Sequence, residues 1–236
     1  MKKLVLSALV AATCALSAGL LVPHAVWAQS YDRRGGYMGV GFAYALENFG
    51  FGKTERAASA IISEVLGQDA SVGAGADNSP GFDMRVGYRI HPNFALEGDL
   101  QYFTGFDVNI DKLSLNGQNI PIPSQVNTKV GSIDTLAMTV NAKGYALTGR
   151  IQPYGLLGFG FMRASFDPNI EGAQSQDDTS FALRFGAGVD LYATEYVVVN
   201  LEASYLLPTS DYKFGEGDPG LGGDIIPIAV GIQYRF

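Results

Sequence analysis

The chain ends Ile226-Pro227-Ile228-Ala229-Val230-Gly231-Ile232-Gln233-Tyr234-Arg235-Phe236, and the fold is decided by how this stretch is read. In an extended chain Ile228, Val230, Ile232, Tyr234 and Phe236 share one face, while Gly231, Gln233 and Arg235 share the other. A period of two marks a β-strand with one apolar side. Working backward, the pattern recurs. Tyr196–Leu206 sets Val197, Val199, Leu201 and Tyr205 against Asn200, Glu202 and Ser204; Phe181–Tyr192 sets Leu183, Phe185, Val189 and Leu191 against Arg184, Gly186, Gly188 and Asp190. Ile151–Met162 opposes Leu157, Phe159 and Phe161 to Gln152, Tyr154, Gly158 and Gly160, and Ile133–Lys143 opposes Leu136, Met138 and Val140 to Thr135, Thr139 and Asn141.

Three further runs lie toward the start. Leu96, Leu100 and Tyr102 oppose Glu97, Asp99 and Gln101; within Phe82–Ile90, Met84, Val86 and Tyr88 oppose Asp83, Arg85, Gly87 and Arg89; within Gly36–Leu46, Met38, Val40, Phe42 and Tyr44 oppose Gly39, Gly41, Ala43 and Ala45. About eight strands result, each near the roughly 9–11 residues that a tilted strand needs to cross a bilayer. An even count suits a closed up-and-down barrel. The connections alternate in length: His91-Pro92-Asn93, Gly144–Arg150 and Ala193–Glu195 are short, whereas 47–80, 104–130, 165–179 and 208–223 are long. Short turns at one end and long loops at the other are the two ends of an outer-membrane barrel. The expected fold class is all-β, a closed antiparallel transmembrane β-barrel.

Composition agrees. Of 236 residues 47% are hydrophobic but only 17% charged, below the quarter or so of soluble domains. The 30 glycines, 14 phenylalanines and 12 tyrosines are spread along the chain, with no long apolar run beyond the first two dozen residues. That first segment has the form of an export signal: Lys2 and Lys3, an apolar stretch from Leu4 to Val22, a break at Pro23, and Val26-Trp27-Ala28 before a cleavage point between Ala28 and Gln29. An uncleaved anchor is the rival, and lipidation at Cys14 is disfavoured by Thr13 before it. The domain division is thus a leader over 1–28 and a barrel over 29–236. Cleavage removes the only cysteine, the only tryptophan, His24 and two lysines, taking the formal charge from −7 to −9. The mature chain then has no thiol for disulfide or metal chemistry, and its acidity argues against a nucleic-acid partner. No cofactor is expected.

Within the loops, Ala58, Ile61, Ile62 and Val65 recur at helical spacing after Thr54 and Glu55, which predicts a short helix. Asn116-Gly117, between Leu113-Ser114-Leu115 and Ile120-Pro121-Ile122, predicts a hairpin tip, although Pro121 cannot donate to a ladder.

The run from Val230 to Phe236 resembles the carboxyl-terminal assembly signal of bacterial outer-membrane proteins, and Arg150–Gly160 and Phe94–Gly98 resemble strand starts of that family. Over most of 36–236 the chain is similar to the small outer-membrane barrels of OmpA and opacity type, often grouped as a porin family. The resemblance implies a Gram-negative outer-membrane location reached through the periplasm, lipid as surroundings, and reading of Tyr234 and Phe236 by the barrel-insertion machinery. Nothing follows the last strand, so the peptidoglycan-binding half of OmpA-type proteins is not carried over. An amphipathic edge strand that happens to end the chain is the plain alternative for the terminal run.

Two more features follow. Tyr88, Phe94, Tyr192 and Tyr196 on the turn side, and Tyr44, Tyr102, Phe161, Phe181 and Tyr205 on the loop side, would form two interfacial girdles; the alternative is the general taste of strands for aromatics. The inner faces collect Arg85, Arg89, Arg184 and Arg235 with Glu97, Asp99, Asp190 and Glu202. Four charges of each sign would pair inside a lumen that eight strands leave only wide enough for side chains. The alternative places them solvated at the barrel mouths. His91, the single histidine of the mature chain, sits in a turn with no serine partner, so an enzyme is not expected. The expected function is structural or surface-interacting, as a monomer whose long loops meet an extracellular ligand; the alternative is a narrow pore or transporter for small solutes or hydrophobic compounds. N-terminal sequencing of the membrane-extracted protein is expected to start at Gln29, and a chain that still begins at Met1 contradicts the leader.

Overall fold

A computed structural model describes residues 31, 33–50, 52–66, 68–116, 118–120, 129–169, 174–213 and 220–236. The leader and its cleavage pair Ala28 and Gln29 lie outside the described residues, as do Gly117, Pro121 and Ile122. The elements in order are β1 (Gly35–Gly50), α1 (Gly52–Leu66), β2 (Ala70–Ala76), β3 (Ser79–His91), β4 (Phe94–Leu115), β5 (Gln118–Ile120), β6 (Lys129–Tyr145), β7 (Ile151–Pro168), β8 (Gln176–Tyr192), β9 (Val197–Pro208) and β10 (Gly222–Arg235).

Eight of these strands close a barrel. β1, β3, β4, β6, β7, β8, β9 and β10 each pair antiparallel with the next, and β10 returns to β1. Closure leaves the barrel wall without a free edge, the condition for placing a sheet in lipid. The register follows the alternation: Met38 lies opposite Tyr234, Val40 opposite Ile232 and Phe42 opposite Val230. All six point outward, with Phe42 80% exposed, whereas inward neighbours such as Arg89 and Asp190 are fully buried. Apolar residues outside and polar residues inside are the inverse of a soluble core, and lipid is the medium that makes this stable.

The strands run to 12–22 residues, longer than a bilayer crossing needs, and the surplus lies on the loop side. There the expected long loops shrink, because β1, β4, β6, β7 and β8 continue into them. β4 shows why this was hidden. Its pairing with β6 slips between Phe103 and Phe106, where Gly105 adopts a left-handed φ of 78° and one extra residue enters the strand. Before the bulge, odd positions (Glu97, Asp99, Gln101, Phe103) face inward; after it, Phe106 and Val108 do. A slip of one residue exchanges the faces of everything beyond it, so the alternation of β4 breaks phase at Thr104. Asp134 secures the bulge, accepting from the Gly105 amide and the Tyr102 hydroxyl, each at 2.9 Å.

Beyond the bulge β4 carries a small projection. β2 pairs with its far half on one side and β5 on the other, and α1 packs against β2. The expected loop helix is present as α1, although the side chains of Ala58, Ile61, Ile62 and Val65 lie outside the described residues. The expected hairpin is present as well: Leu115 faces Gln118 across the turn, where Asn116 takes a positive φ of 50°.

Strand pairing inside so narrow a barrel requires close backbone approach at Gly160. A Cβ there would press on the Met138 carbonyl and sit 2.7 Å from the Thr139 Cα, both backbone groups of the paired strand. Gly155, on the same strand, has nothing nearer than a carbonyl at 3.9 Å. Gly160→Val is therefore expected to cost about 1–3 kcal/mol or more through overpacking, and Gly155→Val within about 0.5 kcal/mol. Urea unfolding followed by the heat-dependent electrophoretic shift measures both; equal effects contradict the register of β6 and β7.

Candidate functional site

Alternation alone brings the inward charges together. Arg85, Glu97, Asp99, Arg184, Asp190, Glu202 and Arg235 all lie in the lumen at 6% exposure or less, and Arg89 is fully buried. Two more charges join them: Asp83 and Lys143, at 1% and 0% exposure. Both stand in phase with inward neighbours, Asp83 with Arg85 and Lys143 with Asn141, so parity could have found them. The buried set then holds five cations and five anions.

Glu202 is the hub. One carboxylate oxygen accepts from Arg184 at 2.6 Å; the other meets the Tyr154 hydroxyl at 2.7 Å, Arg85 at 3.4 Å and the Lys143 ammonium at 3.4 Å. Around it Arg184 reaches Asp99 at 2.5 Å and Lys143 reaches Glu97 at 2.8 Å. Arg85 also pairs with Asp83 on its own strand. Tyr37 donates to Glu97 at 3.0 Å, so tyrosine hydroxyls supply part of the solvation that water would give these carboxylates. Seven strands, β1, β3, β4, β6, β7, β8 and β9, contribute to one contiguous network across the lumen. Gln101, Asn141 and Asn200 flank it with side-chain atoms that meet no partner among the described residues, which keeps that side of the lumen polar.

Toward the turns lies an aromatic layer. Arg89 has no carboxylate partner among the described residues, contrary to the expected pairing of four with four. It donates to the Pro92 carbonyl, to Gln152 at 2.7 Å and to the Tyr192 hydroxyl at 3.1 Å, and stacks 4.2 Å from the Tyr145 ring centre. Arg235 reaches Asp190 at 3.6 Å and lies over Tyr37 and Tyr192, while Tyr145 donates to Asp190 at 3.2 Å. Tyr31 closes this end, its ring 5.1 Å from that of Tyr192 and its carbonyl accepting from Gln152.

Toward the loops the inner face is apolar, which the sequence reading did not anticipate. Phe49, Phe103, Phe106, Ile133, Met162, Leu206 and Ile225 form one cluster, closed by Tyr212 and Leu221 from the loop between β9 and β10. Tyr212 donates to the Met162 carbonyl at 3.3 Å. Burial, reinforced by the Asp178 and Asp224 carboxylates, pushes its phenol pKa up. Each large apolar side chain buried here contributes about 1.5–3 kcal/mol relative to exposure. The lumen is thus three layers: apolar, charged, aromatic.

The other singled-out residues are placed as follows. Tyr234 and Phe236 point outward from the terminal strand, 50% and 62% exposed, with Phe236 donating its amide to the Gly36 carbonyl. Tyr88, Phe94 and Tyr196 are exposed at the same end, and the Tyr196 and Tyr234 rings stack at 6.2 Å. Tyr192 is a correction: it stands in phase with Arg184 and Asp190 and points into the lumen, not to the interface. At the loop end Tyr44, Phe161 and Phe181 are exposed and Tyr102 and Tyr205 half-buried. Above Phe161 the outward face of β7 turns to Arg163, paired with Asp177 at 2.9 Å, where the lipid-facing band ends. His91 ends β3, its Nδ1 accepting from the Asn93 amide at 3.2 Å. Among the described residues no group of three or more His, Cys, Asp or Glu side chains could hold a metal ion.

Comparison with known proteins adds a family and a fold. The family model described as Outer membrane protein beta-barrel domain matches residues 9–236. OprG from Pseudomonas aeruginosa, an outer membrane protein, superposes with a TM-score of 0.55 at 16% identity, over 88% of this chain and 99% of that one. Neisserial surface protein A superposes with a TM-score of 0.50 at 16% identity, over 85% of this chain and 97% of its own. No curated protein sequence matches the chain. Identities this low speak to the fold alone.

Removing the hub's charge leaves the five buried cations named above against four carboxylates, and breaking a buried pair from one side costs about 3–5 kcal/mol. Glu202→Gln is expected to lose that much in urea unfolding from lipid vesicles, and adding Lys143→Met is expected to recover part of it. A loss below about 1 kcal/mol contradicts the pairing described.

Proposed function

The chain belongs to the outer membrane protein beta-barrel domain family, and on that footing we propose that it is a closed, non-conducting barrel of the bacterial outer membrane that holds a structured projection outside for contact with a surface ligand. The observation that carries the reading is the ion-pair network: Arg184, Arg85, Lys143, Glu97, Asp99 and Glu202 span the lumen with side chains at most 1% exposed. A permeant ion would have to break pairs whose separation leaves buried charges uncompensated. The apolar cluster above and the aromatic layer below close the same path at both ends.

α1, β2, the far half of β4 and β5 form a small ordered unit on the loop side, where surface ligands would meet it. The family's barrels are generally non-enzymatic, and this chain is read in the same way. The outward terminal strand, ending in Tyr234 and Phe236, suits recognition by the insertion machinery before β10 pairs with β1, and the closed edge suits a monomer in outer-membrane lipid. A second reading, passage of hydrophobic compounds, has one observation in its favour: the apolar loop-side lining offers them a surface. The charged layer beneath blocks their way to the periplasm.

Proteoliposomes carrying the purified protein are expected not to swell in isotonic arabinose, and replacing residues 52–76 by a short Gly-Ser link is expected to leave both this result and the heat-dependent shift unchanged. Swelling above that of protein-free vesicles contradicts the closed barrel.

A further inference from the structure

β2 is the terminal strand of the projecting sheet. One of its edges pairs with β4, from Ala70 opposite Leu115 to Ala76 opposite Val108. Its other edge meets no strand among the described residues. Two amides on that edge are instead taken by the helix: Val72 N–H donates to Ser59 Oγ at 3.0 Å, and Ala74 N–H donates to a Glu55 carboxylate oxygen at 2.7 Å. The Ser59 hydroxyl is oriented by its own donation to the Glu55 carbonyl at 2.6 Å, which leaves its oxygen free to accept.

The match is one of spacing. Residues four apart on a helix are separated by about 6 Å along its axis, and residues two apart on a strand by about 6.6 Å. Glu55 and Ser59 therefore present two acceptor oxygens at nearly the interval of alternate carbonyls in a neighbouring strand. The helix occupies the edge as a strand would.

The sequence of β2, Ala70-Ser71-Val72-Gly73-Ala74-Gly75-Ala76, contains no charge and no proline. Edges left free in native proteins are usually blunted by lysine, proline, inward charge or a covering element. The register shifts between Gly73 and Ala74, with the extra residue, Asp111, on β4, and β2 itself has only the cover of α1. Its side chains from Ser71 to Ala76 are small, so the edge offers a partner mainly backbone.

We propose that the outer edge of β2 is a strand-addition site, held closed by Glu55 and Ser59 of α1, whose occupant is an uncharged extended segment of a partner polypeptide. The two edge amides fix the chemistry: they require a pair of acceptors at strand interval, which an extended backbone supplies as alternate carbonyls. Opening needs only α1 to move, since the two amides it holds belong to the projection and not to the barrel. The inference rests on the surface-contact reading above and names the kind of partner.

The test uses the full protein in lipid nanodiscs and a fluorescent, uncharged peptide copying residues 70–76, Ala-Ser-Val-Gly-Ala-Gly-Ala, which would meet the edge as a further strand. Glu55→Ala/Ser59→Ala is expected to bind this peptide at least tenfold more tightly than the native protein. Glu55→Gln/Ser59→Thr, which keeps both acceptors, is expected to bind like the native protein, and a peptide with proline at alternate positions is expected not to bind. Hydrogen exchange at the Val72 and Ala74 amides is expected to quicken in the alanine variant and to slow again when peptide is added. Exchange at these amides that is the same in the native protein and the alanine variant, or peptide binding no tighter in the variant, overturns the site. Dimerisation of the variant without peptide uptake overturns the partner assigned. The heat-dependent shift of each variant reports the barrel separately, so failure here is distinguishable from failure of the closed-barrel reading, which swelling reports.

Discussion

Charge balance inside a ring of eight strands is the constraint on which the rest of the structure depends. The lumen takes five cations and five anions out of water, and each would be costly there alone. They are stable because alternation delivers opposite signs to the same depth: Glu202 from β9, Arg184 from β8, Lys143 from β6 and Arg85 from β3 converge within hydrogen-bonding or ion-pair distance. The wall must hold this register, since a slip of one residue in any contributing strand would turn its charge toward lipid. Packing and electrostatics therefore enforce each other.

The layers above and below follow from the same geometry. At the turn side, where strands converge on tight connections, tyrosines close the lumen and stack on Arg89 and Arg235; Arg89 is held by the Pro92 carbonyl, Gln152 and Tyr192 in place of a carboxylate, while Arg235 also meets Asp190. At the loop side, the strands continue past the lipid band, and their inner faces bury phenylalanine and aliphatic side chains as a soluble core would. The chain thus combines a membrane barrel with a small water-facing core at its outer end, and that core gives the projection from β4 a firm base.

Much of this was legible in the sequence. Period-two alternation located all eight barrel strands, because a sheet with lipid on one side cannot tolerate polar residues on the wrong parity. The eight lumen charges were named by the same parity. What escaped has physical causes. Lys143 stands at the end of a run and Asp83 next in phase to Arg85, and both obey the rule. Residue type points Tyr192 to the interface, whereas its phase places it inside. The far half of β4 was lost because the Gly105 bulge inverts the pattern, and no local property of Thr104-Gly105 states that the strand goes on. The helix in the first loop was readable from its spacing, but its hold on the β2 edge depends on tertiary placement that sequence does not encode locally.

The central claim is that the paired charges shut the lumen. Single-channel recording of the purified native protein in planar bilayers tests it most directly: a flat baseline at 100 mV and moderate salt is the result this account predicts, and stable, reproducible conductance steps from the native protein would contradict it.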